Sequence, residues 1–106
     1  MTKREQEYKQ LLDNVIEELK SQGITVKFVG DNQLKDYAAM NYEAAKTTGY
    51  DKHHKIGQKE YHICNNMSYE KKYKDLRHEI YELALMKEGE DYWGAHVKSL
   101  AEEAKL

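Results

Sequence analysis

The residues best suited to chemistry lie near one another in the last third of the chain: His78, Glu79 and Glu82, then Asp-Tyr-Trp-Gly-Ala leading into His96. Two imidazoles and one carboxylate form a known three-ligand zinc set that leaves a fourth position open for water. His78, Glu82 and His96 are therefore the expected ligands. A carboxylate next to such a centre takes a proton as general base. Glu79, adjacent to His78, is the expected base. His62 and Cys64 share one face of a predicted strand and are reserve ligands, whereas His53 and His54 fall in a polar loop where solvation is expected. Cys64 is the sole cysteine, which excludes an intrachain disulfide and any multi-cysteine zinc finger.

Positioning these side chains requires two helices. Ser68 is a good N-cap for a helix over 69–87, closed by Gly89, and Asp91 caps a second helix running to the C-terminus. The short connection between them makes the two antiparallel neighbours. Tyr69, Tyr73, Leu76, Ile80 and Leu83 form one stripe on the first helix, at the spacing that buries a face against a sheet. At ~100° per residue, His78 and Glu82 lie nearly opposite that stripe. On the second helix, Trp93, His96, Val97, Leu100 and Ala104 recur at three- and four-residue intervals, so His96 is expected inside an apolar stripe. Counting ~1.5 Å per residue down one helix and back up the other brings His96 level with about residues 82–85. His78 is one turn further along and needs a crossing angle to join them.

Upstream, Tyr8, Leu11, Leu12, Val15, Ile16 and Leu19 predict an amphipathic helix over 4–22, stopped by Gly23. Residues 24–29 alternate as a strand, with Ile24, Val26 and Phe28 on one side. Residues 32–48 are expected to be a helix capped by Asp31 and ended by Gly49. The polar segment after it is a loop. Residues 60–64 form a second strand, with Tyr61 and Ile63 facing one way and His62 and Cys64 the other.

Composition narrows the function classes. Seventeen Lys and Arg against nineteen Asp and Glu give a formal charge of −2 with the signs interspersed, which leaves no electrostatic footprint for nucleic acid. No stretch reaches the ~20 apolar residues a membrane span needs, and the first residues have no apolar signal core. A cytoplasmic protein is expected. No glycine-rich phosphate loop is present. Tyr81, Tyr92 and Trp93 are candidates to line a substrate groove or donate to a developing oxyanion.

The segment HICNNMSYEKKYKDLRHEIYELALMKEG resembles the strand, polar turn and active-site helix of zincin-type metallopeptidases. The resemblance covers about a third of the chain. It implies that His78 is a zinc ligand and Glu79 the general base, while Glu82 stands where the family has its second motif histidine. DYWGAHVKSLAEE is similar to the tail of short phage and prokaryotic proteins with a His-Glu…Glu…Tyr-Trp-x-x-His pattern. The combined expectation is a single α+β domain over 1–106, with an N-terminal helix, a short antiparallel or mixed sheet and a C-terminal helical hairpin carrying the site. Its expected activity is zinc-dependent hydrolysis of a peptide or protein substrate. The alternative is a non-catalytic protein-interaction module in which the same His and Glu residues brace the helix pair.

Overall fold

The computed structural model describes residues 1–106, beginning with α1 (Lys3–Ser21), whose first turn is capped by the Thr2 hydroxyl accepting from the Glu5 amide at 3.1 Å. Gly23, at φ +80°, lets the chain reverse into β1 (Thr25–Val29). β1 runs parallel to β3 (Glu60–Cys64), and β2 (Ala39–Asn41) lies antiparallel on the other side of β3, giving the order β1-β3-β2. The sheet is mixed. α4 (Tyr69–Lys87) and α5 (Tyr92–Glu103) follow as the C-terminal helical pair, and no helix is long and apolar enough to cross a membrane.

The central strand is packed on both faces, as its alternation predicts. Tyr61 and Ile63 enter a cluster with Leu12 and Leu19 of α1 and Leu76 and Leu83 of α4. Cys64 enters a second cluster with Leu34, Met40, Ala44, Ala45 and Tyr92. Burying each such Leu or Met side chain is worth ~1.5–3 kcal/mol, so β3 joins the two apolar units that carry the fold. On α4 the stripe of Tyr69, Tyr73, Leu76, Ile80 and Leu83 packs into the first cluster. Its opposite face is thereby turned toward α5 and β2.

Two expectations fail. Residues 32–48 are not one helix but α2 (Asp31–Leu34), β2 and α3 (Tyr42–Thr48). Lys35, at φ +57°, breaks the first piece. Asn41 then adopts extended backbone (φ −111°, ψ 169°), and its Oδ1 accepts from the Ala44 amide at 2.8 Å. An N-cap in the middle of the expected helix restarts it, and pairing with β3 holds Ala39–Asn41 extended. Gly49 ends α3 at φ +81°, the left-handed conformation expected of it. On β1, Phe28 stays 40% exposed, with the Lys72 ammonium 5.3 Å from its ring centroid. The alternation there does not translate into burial because β1 is an edge strand.

Candidate metal centre

α4 starts at Ser68, whose Oγ accepts from the Lys71 amide at 3.2 Å. With the apolar stripe committed to α1 and the sheet, Asp75, His78, Glu79 and Glu82, related by three- and four-residue intervals, put four polar side chains on a second buried face. Glu88, Gly89 at φ +108° and Glu90 turn the chain, and Asp91 caps α5 by accepting from the Gly94 amide at 2.8 Å.

The buried face of α5 differs from the expected one. Tyr92, Ala95 and Ser99 point inward, whereas Trp93, Val97 and Leu100 are 62%, 66% and 48% exposed and Ala104 is also exposed. The helix is rotated so that the small residues Ala95 and Ser99 join Tyr92 on its buried face. His96 sits at the border of the two faces, with its side chain 34% exposed.

That placement closes the gap left by simple counting along the helices. His96 Nδ1 lies 2.9 Å from Glu82 Oε2, His78 Nε2 lies 2.9 Å from the same oxygen, and the two ring nitrogens are 3.3 Å apart. All three residues expected as ligands converge. Four-coordinate zinc with bonds of ~2.0–2.2 Å separates neighbouring ligand atoms by roughly 3.3–3.5 Å, so this triangle needs only slight expansion to accept the ion.

Proton accounting supports the fit. His78 Nδ1 lies 3.2 Å from Glu103 Oε1. The contact is close in distance but out of line for a hydrogen bond, so Nδ1 has no aligned acceptor. A neutral His78 with its proton facing Glu103 leaves Nε2 as a bare lone pair, aimed at a carboxylate oxygen and a second imidazole. Ligand atoms gathered this way suit a cation between them. A carboxylate behind a ligating imidazole is the usual means of fixing its tautomer and orientation.

Asn41 completes the surround. Fully buried, it donates from Nδ2 to Glu79 Oε1 at 3.1 Å and to Glu82 Oε1 at 3.0 Å. Both glutamates thus keep Oε2 on the side of the imidazoles, and Glu79 Oε2 is 3.8 Å from His78 Nε2. Burial, and after it the neighbouring Glu82 charge, pushes the Glu79 carboxyl well above the usual carboxylate range. Tyr92 stacks on His96 with ring centroids 5.5 Å apart, and burial followed by the charges of Glu82 and Glu79 raises its hydroxyl pKa.

A cavity of about 230 Å³ opens beside the triangle, between the segment leading into β2 and the α4–α5 pair. Tyr92 and Trp93 line it, as expected of groove aromatics, but Tyr81 lines a separate, smaller hollow with Arg77 and Ser99.

The reserve ligands are occupied elsewhere. His62 Nδ1 lies 2.7 Å from the Tyr50 hydroxyl and Nε2 lies 3.0 Å from Glu60 Oε1, so both ring nitrogens are satisfied in a strand-to-loop brace. Cys64 is buried in an apolar cluster. His53 is exposed, and His54 is half-buried with its ring centroid 4.9 Å from that of Tyr50.

Sequence reasoning missed Asn41, Glu103 and Asp75. Glu103 follows His96 by two helical turns and Asp75 precedes His78 by one, spacings that place them correctly once the buried faces are known. No family model, curated protein or solved structure matches the chain, so the assignment of the site rests on this geometry.

Proposed function

We propose that this protein is a zinc-dependent hydrolase of zincin-like design, acting on peptide bonds, with His78, Glu82 and His96 holding the ion and Glu79 as general base. The observation that carries the reading is the triangle of ligand atoms, with two ring nitrogens 3.3 Å apart and each 2.9 Å from one carboxylate oxygen. Bound zinc supplies Lewis acidity, polarising a carbonyl and making water more acidic.

The rest of the chemistry belongs to the chain. Glu103 lies 3.2 Å behind His78 Nδ1, and Asn41 fixes the two glutamates by one hydrogen bond to each. Glu79 accepts a proton at Oε2, and burial raises its proton affinity in the direction a general base at neutral pH requires. Tyr92 keeps its proton throughout the physiological range and lines the cavity as a donor suited to a developing oxyanion.

Elemental analysis of purified protein tests this directly. Stoichiometric zinc is expected, and it should be lost in His78→Ala and His96→Ala. Glu79→Gln should retain zinc and lose peptide cleavage. Protein that carries no metal, and whose melting temperature and histidine NMR shifts ignore added zinc, sinks the proposal.

The exposed row of Trp93, Val97 and Leu100 favours a second reading, a non-catalytic interaction module in which the same cluster only braces α4 against α5. Under that reading Trp93→Ala abolishes partner binding while Glu79→Gln leaves it unchanged.

A further inference from the structure

We infer that Asp75 anchors a primary ammonium group of the substrate, so that the peptides this cleft accepts present either a free amino terminus or a lysine side chain. The inference rests on the hydrolase reading and specifies its substrate. Asp75 is 3% exposed, and its Oδ2 has no hydrogen-bond partner. A buried carboxylate with unused acceptor capacity is rare in folded proteins, and Asp75 lines the same cavity as His78 and Glu79.

Its other oxygen already holds an ammonium: Oδ1 accepts from Lys71 Nζ. The Lys71 side chain is 47% exposed, so that cation reaches in from the solvent side. An intramolecular ammonium thus shows what chemistry fits the position. The wall agrees, since four carboxylates (Asp36, Asp75, Glu79 and Glu103) and only one ammonium, that of Lys71, line the cavity. An anionic group meets repulsion there, and an acyl cap removes the positive charge that would pair with Asp75.

Position links the anchor to the chemistry. Asp75 precedes His78 by three residues on the same helix face, which puts a bound ammonium about one turn, ~5 Å along the axis, from the imidazole assigned to the metal. The apolar remainder of such a peptide meets Trp93 and Leu100 at the rim.

Trp93 is the sole tryptophan, so its fluorescence reports occupancy of the cavity. Three short peptides of one apolar sequence serve as probes: one with a free amino terminus, one N-acetylated, and one N-acetylated with a lysine introduced. They are titrated into zinc-loaded Glu79→Gln protein and again after chelation. At least one ammonium-bearing probe should bind ~10-fold or more tightly than the acetylated apolar one, and which of them does so identifies the source of the group.

Asp75→Asn should erase that difference while zinc content stays intact, and Lys71→Met should tighten the favoured probe by removing the internal competitor. Equal affinities for the three probes in unsubstituted Asp75 protein, no binding of any of them, or discrimination that survives Asp75→Asn overturns the inference. Discrimination that persists in protein unable to bind zinc leaves the ammonium anchor standing and removes the hydrolase reading alone.

Discussion

At the scale of single residues, the site depends on an asparagine that touches no proposed substrate. Asn41 spends its side chain completely: Oδ1 caps α3, and the two Nδ2 hydrogens go to Glu79 and Glu82. Losing an N-cap costs ~1 kcal/mol, and leaving buried acceptors unpaired costs about 1–3 kcal/mol more. Asn41→Leu, close in size but without donors, should therefore lower stability by roughly 2–4 kcal/mol. Urea unfolding should show this as a lower midpoint at unchanged slope. Zinc should also bind more weakly, because Glu82 loses the contact that directs Oε2 toward the imidazoles. A variant with the midpoint of the parent protein would mean that the two glutamates are held by something other than Asn41.

At the scale of elements, α1 and α4 share an ionic clasp on top of their apolar contact. Arg4 Nε and Lys74 Nζ lie 3.0 and 2.9 Å from the Glu70 carboxylate, and these hydrogen bonds pull its pKa from 4.5 down to about 2. A carboxyl depressed on folding stabilises the native state above its unfolded pKa and loses that contribution as pH falls through the folded value. The melting temperature should accordingly decline between about pH 4.5 and 2, and Glu70→Gln should start lower at neutral pH, flatten that limb and converge with the parent protein near pH 2. An identical acid limb in the variant assigns the loss to other carboxylates. The same element scale separates what could be read from the sequence from what could not. α1, β3 and α4 carry apolar periods whose faces are the ones buried, Leu11 at 42% exposure apart; Glu82 meets His96 as their spacing suggested, and the packing of α5 brings in His78 as well. Residues 32–48 suit a helix by their small side chains, while pairing with β3 and capping by Asn41, both tertiary or local polar effects, decide otherwise. The rotation of α5 was misread for a related reason. Trp93, Val97 and Leu100 are more apolar than Ala95 and Ser99, yet the small side chains are the ones buried. Asn41 and Glu103 were hidden by these two errors.

At the scale of the whole molecule, the question is what fastens α5. Only 23 of 106 residues are buried, and α5 contributes Tyr92, Ala95 and Ser99 to that set, a small apolar share for a 12-residue helix. Its remaining ties to α4 are polar: His96 to Glu82 and Glu103 to His78. A domain of this size has about 5–15 kcal/mol of net stability, and an element with so few buried apolar side chains opens at much less than the global cost. An ion shared by His78, Glu82 and His96 would tie α5 to α4 at the middle of both helices. Zinc at a hundred times its dissociation constant adds ~2.7 kcal/mol, which for about 100 residues raises the melting temperature by on the order of 10 °C. The gain should also have a location. Amide exchange in α5 should slow strongly with zinc, exchange in α1 and β3 should change only with global stability, and His96→Ala should abolish both the thermal shift and the local protection. Zinc that raises the melting temperature without protecting α5 would have to bind elsewhere, because an ion bridging these three side chains cannot stabilise the fold without closing the helix pair.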